Sequence, residues 1–305
     1  MPIQTVKITV NGTTVSATKQ SDGSYKATLA APNVTSYNVN SGHYYPVTVV
    51  ATNSAGTSTT ANDQTAGLGE SLRLRVKEIT APTITISSPT NGQYVGVATP
   101  EIKFTLLDES NGSGIALTSL KIIVDGTTYT NTSSGVTITT ISNGYNVVCV
   151  PSALKDGSHT LSVSVQDNDG NSASSSTIKF TTDTIAPTLS VTAPAENGQY
   201  VAESAYTVKG TTSDSTSGVP IIKIALNGTD QGAVTVSGDS FSKGITLVTG
   251  TNTIVVTATD KAGKVTTITR TINLDTSSPV IASIVIDPNP VNVGASYTVT
   301  IEVTE

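Results

Sequence analysis

Leu161-Ser162-Val163-Ser164-Val165-Gln166-Asp167-Asn168-Asp169-Gly170-Asn171 alternates apolar and polar side chains and then breaks into an Asx/Gly turn. A period of two marks a strand with one buried face, and Asx-Gly pairs tolerate the backbone angles of a tight turn. The pattern occurs again as Ile254-Val255-Val256-Thr257-Ala258-Thr259-Asp260-Lys261-Ala262-Gly263-Lys264. A strand and turn that recur at one place in a longer pattern indicate a repeated structural unit.

Upstream of the two copies the correspondence continues. Ala81-Pro82-Thr83, Pro89 and Asn91-Gly92-Gln93-Tyr94-Val95 are matched by Ala186-Pro187-Thr188, Pro194 and Asn197-Gly198-Gln199-Tyr200-Val201, at an offset of 105 to 106 residues. Ser113-Gly114-Ile115 corresponds to Ser217-Gly218-Val219, and Val124-Asp125-Gly126 to Leu226-Asn227-Gly228. Units of this length exceed propeller blades and solenoid repeats, so each can enclose its own core. Asn-Gly at 11, 91, 111, 143, 197 and 227, and Asp-Gly at 22, 125, 156 and 169, supply the hairpin chemistry of an antiparallel protein. The pattern predicts an all-β chain of tandem immunoglobulin-like β-sandwiches in an elongated rod. The expected divisions are an N-terminal Ig-like domain over 1–78, Ig-like domains over 79–183 and 184–276, and a partial two-strand segment over 277–305.

The two ends carry complementary parts of the repeat. Val10-Asn11-Gly12 and Pro46 to Gly56 resemble its later strands, and Ser71-Leu72-Arg73-Leu74-Arg75-Val76 adds a strand candidate with its Leu and Val side chains on one face and its arginines on the other. Residues 297–305 resemble only its opening strands, with Val299, Ile301 and Val303 forming an apolar face that two strands alone cannot bury. Residues 277–305 of one copy could therefore add their strands to residues 1–66 of another, or cap the third domain, or pair with a different protein. Arg73 and Arg75 share a face and could meet carboxylates on a neighbouring chain or domain, or serve as charged guards of an edge strand.

Composition narrows the function. The chain has 305 residues, of which 54 Thr and 36 Ser make up just under a third, while charged residues are 12%. Thr, Val and Ile suit a half-buried pleated surface, and so little charge excludes coiled coils and long exposed helices. The net charge is −6, and arginine occurs only at 73, 75 and 270, so no basic stripe is available for phosphates and nucleic acid is not an expected partner. No apolar run approaches the length of a membrane helix, and Met1-Pro2-Ile3-Gln4-Thr5 enters a strand pattern without a leader, so no membrane insertion is expected. Cys149 sits in Val147-Val148-Cys149-Val150 and reads as a small buried hydrophobe.

Catalytic chemistry finds little support. His43 and His159 precede the same strand in two repeats, and no Gly-x-Ser-x-Gly turn presents a nucleophile to either. With no Trp, 10 Tyr and 3 Phe, the chain offers little surface for stacking sugars. Asp167-Asn168-Asp169-Gly170-Asn171 alternates oxygen ligands around a glycine as calcium loops do, but it lacks their closing Glu, and the equivalent turn carries Lys261 and Lys264. Asx residues also populate such turns by bonding their own backbone, which is the expectation there and in the loops 108–114 and 214–218. No catalytic residue, metal or cofactor is expected.

The Ala-Pro-Thr junctions, Asp-x-x-Ser-Gly, the Val-Asp-Gly hairpin and the Asp-rich turn resemble tandem bacterial Ig-like domains, found in tailed-bacteriophage tail and fibre proteins and in bacterial surface adhesins. The likeness covers about residues 79–276 and, in part, both ends. It implies a non-enzymatic structural or adhesive component of a phage tail or fibre, located on the virion or at a cell surface. Implied partners are other virion proteins, further copies of the chain, or a host cell-surface glycan or protein. The alternatives are a bacterial cell-surface adhesin or wall-associated protein, whose secretion signal lies outside these residues, and an accessory module of a glycan-active enzyme. The missing leader and anchor suit a virion part released by lysis. Gly69 to Glu78 also resembles phage tail Ig proteins.

Overall fold

The computed structural model describes residues 1–305 and divides the chain into two compact units, 1–182 and 183–305. Each unit contains one full β-sandwich built from the repeat.

In the first unit the sandwich is formed by residues 83–182. One sheet has the order Val136–Ile141, Gly144–Cys149, Ile102–Leu107, Thr83–Ser88, and the other Thr127–Tyr129, Ile115–Val124, Gly157–Asp167, Ile178–Thr182, Tyr94–Val95. The alternation seen in the sequence becomes the core. Leu161, Val163 and Val165 point inward with Ile102, Phe104, Leu106, Leu120, Ile122, Val124, Val147 and Phe180, all of them almost completely buried. Each such side chain contributes roughly 1.5–3 kcal/mol by leaving water. Cys149 is fully buried in the same cluster, and burial pushes its thiol up to about 11, which leaves it unreactive.

The second unit repeats the topology. Its sheets are Thr188–Ala193, Ala205–Ser213, Ser240–Thr246, Thr235–Ser237 and Gln199–Val201, Val265–Leu274, Gly250–Thr259, Ile221–Leu226, Thr229–Asp230. Ile254, Val256 and Ala258 occupy the places of Leu161, Val163 and Val165, around Val208, Ile224, Phe241 and Ile272. All three phenylalanines of the chain are thus core residues.

Turn chemistry divides in two. Asp125-Gly126 and Asn227-Gly228 have positive φ at both residues, as a two-residue hairpin requires. Asn91-Gly92 and Asn197-Gly198 do something different. The Asn91 side chain accepts from Lys179 N (2.9 Å) and Asn197 from Thr271 N (2.7 Å), while Gly92 N and Gly198 N donate to Lys179 O and Thr271 O. These bonds set the two short parallel pairings, Tyr94–Val95 beside Ile178–Thr182 and Gln199–Val201 beside Val265–Leu274.

Residues 1–78 form a five-stranded sheet and a separate two-stranded ribbon, Thr18–Lys19 with Tyr25–Lys26. Ile3–Val10 lies between Thr13–Ser16 and Tyr45–Asn53, and the latter also pairs with Ser58–Ala61 and Arg73–Leu74. Val10 and Tyr45 are its buried apolar side chains. The expected strand 71–76 is only Arg73–Leu74, because Gly69–Leu72 coils into a 3-10 turn closed by the Glu70–Arg73 ion pair. Residues 280–304 form a hairpin, Val280–Asp287 with Thr298–Thr304, whose apolar side chains all stay exposed.

Gly210 shows how closely one sheet is packed. A Cβ there would lie 2.1 Å from Ser190 O and 2.3 Å from Phe241 Cζ, whereas one at Gly244 on the neighbouring strand would meet nothing within 4 Å. Gly210→Ala is expected to lower stability in urea by about 1–3 kcal/mol, and Gly244→Ala to change it by less than about 0.5 kcal/mol.

Candidate functional site

Three features bring polar side chains together, and each grows from a turn of the repeat. The first lies in the first unit, where residues 1–78 meet the end of the sandwich. The turn after Gly157–Asp167 is tied by Asp167 itself, which accepts from Gly170 N (2.6 Å), Asn171 N (2.9 Å) and Asn171 Nδ2 (2.7 Å). Asp169 faces the other way. Its carboxylate accepts from Thr35 Oγ1 and from Glu78 N (3.1 Å), and its carbonyl from Lys77 Nζ (3.0 Å). Asn38 Nδ2 adds a bond to Gly112 O (2.7 Å). The Asp-rich turn therefore fastens its neighbour.

The second feature is a pair of carboxylate clusters. Glu78, Asp108 and Glu109 gather in the first unit, and Asp183, Asp214 and Asp260 in the second, with the closest oxygens of each set within 4.8 Å of one another. Both draw on equivalent segments: a residue five places ahead of the first strand (Glu78, Asp183) and the loop that follows the second long strand (Asp108, Asp214). The second cluster takes its third member from the Asp-rich turn, Asp260, while in the first Glu109 stands in and the turn residue, Asp167, is already saturated. Backbone donors hold one oxygen of most members. Ser113 N reaches Glu78 (2.5 Å), Gly114 N Asp108 (2.7 Å), Ser217 N and Thr216 N Asp214 (2.7 and 2.8 Å), and Lys264 N Asp260 (2.8 Å). Glu78 Oε2, Asp108 Oδ1, Glu109 Oε2, Asp183 Oδ2 and Asp260 Oδ2 are buried with no hydrogen-bond partner. Burial raises the carboxyl pKa of Asp183, with the charges of Asp214 and Asp260 adding to it. It likewise raises Asp108, helped by Glu78, and Glu78, helped by Glu109. At Asp214 burial pushes upward, but the two backbone donors outweigh it and the carboxyl falls below its ordinary value.

The third feature is His159. Its Nδ1 meets Asp125 Oδ2 at 2.5 Å, and its Nε2 lies 2.8 Å from Lys155 O and 2.9 Å from Thr182 Oγ1. A His between a carboxylate and a hydroxyl has the order of a nucleophilic triad. Thr182 is completely buried, however, and its hydroxyl donates to Lys155 O at 2.5 Å, so the group ties strand ends and presents no nucleophile. His43 stacks on Tyr37, ring centroids 4.2 Å apart.

The residues singled out for partner contact are placed as follows. Arg73 pairs with Glu70 and lies over the Tyr44 ring, 4.8 Å from its centroid, and Arg75 reaches Gly42 O (3.4 Å), so both have partners within their own sheet region. Val299, Ile301 and Val303 are 45%, 53% and 58% exposed on the 280–304 hairpin. The carboxylate clusters escaped sequence reading. Their signal is the matched offset of 105 residues between Glu78 and Asp183 and of 106 between Asp108 and Asp214.

With this geometry in view, comparison with known proteins is informative. Residues 109–184 match the bacterial Ig-like domain family, and residues 187–276 match the family of glucodextranase domain B. The chain carries tandem Ig-like domains. Bacillopeptidase F of Bacillus subtilis (strain 168) is 33% identical over 132 residues, which are 43% of this chain and 9% of that protein. The chain thus matches less than a tenth of that relative's length. Among solved structures, the fibronectin(III)-like modules of Clostridium thermocellum CbhA align at 19% identity over 63% of this chain and 94% of theirs, with a TM-score of 0.43. Dimeric latent PorU of Porphyromonas gingivalis aligns at 15% identity over 90% of this chain and 30% of its own, with a TM-score of 0.30. Ig-like domains of this class are generally non-catalytic and are typical of structural or adhesive extracellular proteins. No helix of the chain is long and apolar enough to cross a membrane.

The Asp125–His159 bond gives a pH test. Burial would raise the Asp125 carboxyl, but hydrogen bonds from His159 and Thr160 outweigh it and lower the pKa. A folded-state pKa below the unfolded one means that the contribution is complete above the ordinary carboxylate range and is lost as the pH falls through the lowered value. Asp125→Asn keeps the turn and an acceptor for Thr160 N. It is expected to cost about 1 kcal/mol at pH 7, discounted for the partial exposure of Asp125, with the gap to the parent closing in urea titrations as the pH falls below the ordinary carboxylate range.

Proposed function

We propose that the chain is a non-enzymatic structural and adhesive component of a phage tail or fibre, spacing contacts to a host surface. The observation that carries this reading is the repeat. The residues that the two sandwiches share are framework: core alternation, the Asn that sets the parallel pairing, and the Ala-Pro-Thr lead into the first strand. Proline there restricts the preceding residue to extended conformations and favours stiff junctions. Domains in such a series act by reach, and several copies on one particle turn weak contacts into avidity. The hairpin carrying Val299, Ile301 and Val303 would serve a further copy of the chain or another virion protein, and the loops a host cell-surface glycan or protein.

A second reading, a bacterial cell-surface adhesin or wall-associated protein, is favoured by the similarity to bacillopeptidase F of Bacillus subtilis. Antibody against the chain, applied to density-purified particles from a lysate and to walls of uninfected cells, separates the two. Labelled tails are the expected result; label confined to the walls would overturn the phage assignment. In sedimentation velocity the full chain is expected to run as an oligomer and a version ending at Asp275 as an elongated monomer. Equal masses per chain would remove the hairpin from assembly.

A further inference from the structure

Residues 1–78 repeat one half of a sandwich. Ile8 faces Val49 and Val10 faces Val47, as Ile122 faces Val163 and Val124 faces Leu161 in the first full sandwich. Those four counterparts are at most 2% exposed, because a second sheet covers them, whereas Ile8, Val47 and Val49 are only half-buried. In chain order the ribbon Thr18–Lys19 with Tyr25–Lys26 takes the place of Val136–Ile141 with Gly144–Cys149. The next two strands of that sheet, Ile102–Leu107 and Thr83–Ser88, have no counterpart within 1–78. Residues 25–30 alternate half-buried and exposed side chains as a strand does, yet their ladder stops at Lys26.

The hairpin Val280–Asp287 with Thr298–Thr304 has the form of the absent pair. Its first strand runs into Pro288, as Thr83–Ser88 runs into Pro89 and Thr188–Ala193 into Pro194. Ile284 faces Ile301 and Ile286 faces Val299, in the register of Ile84 with Leu106 and Ile86 with Phe104. Leu106 and Phe104 are core residues, whereas Ile301 and Val299 are open to solvent, and Thr298–Thr304 has no second neighbour. The charges are complementary. Asp287, Glu302 and Glu305 lie in 280–305 with no Lys or Arg, while residues 1–28 carry Lys7, Lys19 and Lys26 against Asp22.

We propose that the hairpin of one copy completes the N-terminal module of a second copy. Thr298–Thr304 adds antiparallel beside residues 25–30, as Ile102–Leu107 lies beside Gly144–Cys149, and the apolar face of the hairpin covers Ile8 and Val49. The free edge gains a ladder and the half-buried face gains the sheet that its counterparts have. Donor and acceptor are different parts of the chain, so the contact is heterologous and either propagates as a filament or closes as a ring. The inference rests on the structural role given above and names the partner of the hairpin.

The test uses the purified full chain over a range of concentrations. In sedimentation velocity its mass is expected to rise with concentration, while Ile301→Asp, at an exposed position, stays monomeric throughout. On the acceptor side, Lys19→Glu combined with Lys26→Glu, both exposed, is expected to raise the dissociation constant about tenfold or more, and Lys223→Glu on the second sandwich to leave it unchanged. Amide hydrogen exchange then locates the contact. Residues 25–30 and 298–304 are expected to exchange at least about tenfold more slowly in the assembled parent than in Ile301→Asp. Protection of the hairpin without residues 25–30 would mean that hairpins pair with one another, and protection of both in a chain that stays monomeric would place the contact within one copy. A parent that neither associates nor gains protection would leave the hairpin to a different protein. Each of these three results would overturn the proposal, and none would alter the antibody labelling of particles, so the phage assignment is judged separately.

Discussion

Both full sandwiches depend on one constraint: every long strand gives one face to the opposite sheet. With charged residues at 12% and Thr plus Ser near a third, the outer faces are covered by hydroxyls, which are polar enough for water and shaped for a pleated surface. The inner faces are Ile, Val, Leu and three Phe. The alternation leaves almost no freedom of register, because a slip of one residue would exchange Thr for Val along a whole strand. Turns, parallel pairings and acidic loops are all placed by that register.

The Asp-rich turn illustrates how one local motif supports two uses. In the first unit Asp167 closes the turn, which frees Asp169 to take Thr35 and the backbone of Glu78, so the N-terminal sheet is fastened by hydrogen bonds rather than by a shared core. In the second unit the equivalent of Asp167 is Asp260. It bonds Lys264 N through one oxygen and leaves the other for the acidic cluster. Similar backbone geometry thus carries a domain contact in one copy and a concentrated negative charge in the other.

The cores and their strands could be read directly from the chain, since Leu161, Val163 and Val165 and their counterparts Ile254, Val256 and Ala258 show their burial by period alone. The type of hairpin at Asp125-Gly126 and Asn227-Gly228 was equally plain, because local sterics decide it. What depended on distant partners was hidden. Asn91-Gly92 and Asn197-Gly198 look like hairpin turns, and only the fold shows their side chains bonded to Lys179 and Thr271. Ser71 to Val76 has strand periodicity, but Gly69 packs against Asp63, where a Cβ would lie 2.5 Å from Asp63 O, and the chain coils before it can extend. The carboxylate clusters were invisible for the same reason: each member alone is an ordinary turn residue, and only convergence makes it unusual.

The short parallel pairings have a mechanical consequence. Tyr94–Val95 belongs to the entry of its module and Ile178–Thr182 to the exit, as do Gln199–Val201 and Val265–Leu274 in the next. Tension along the chain pulls the two partners in opposite directions along their length, so their hydrogen bonds are sheared together instead of being peeled apart one by one. Side-chain caps from Asn91 and Asn197 lie at the start of that sheared patch. A module wired in this way yields abruptly at a high force, and until then lengthens very little.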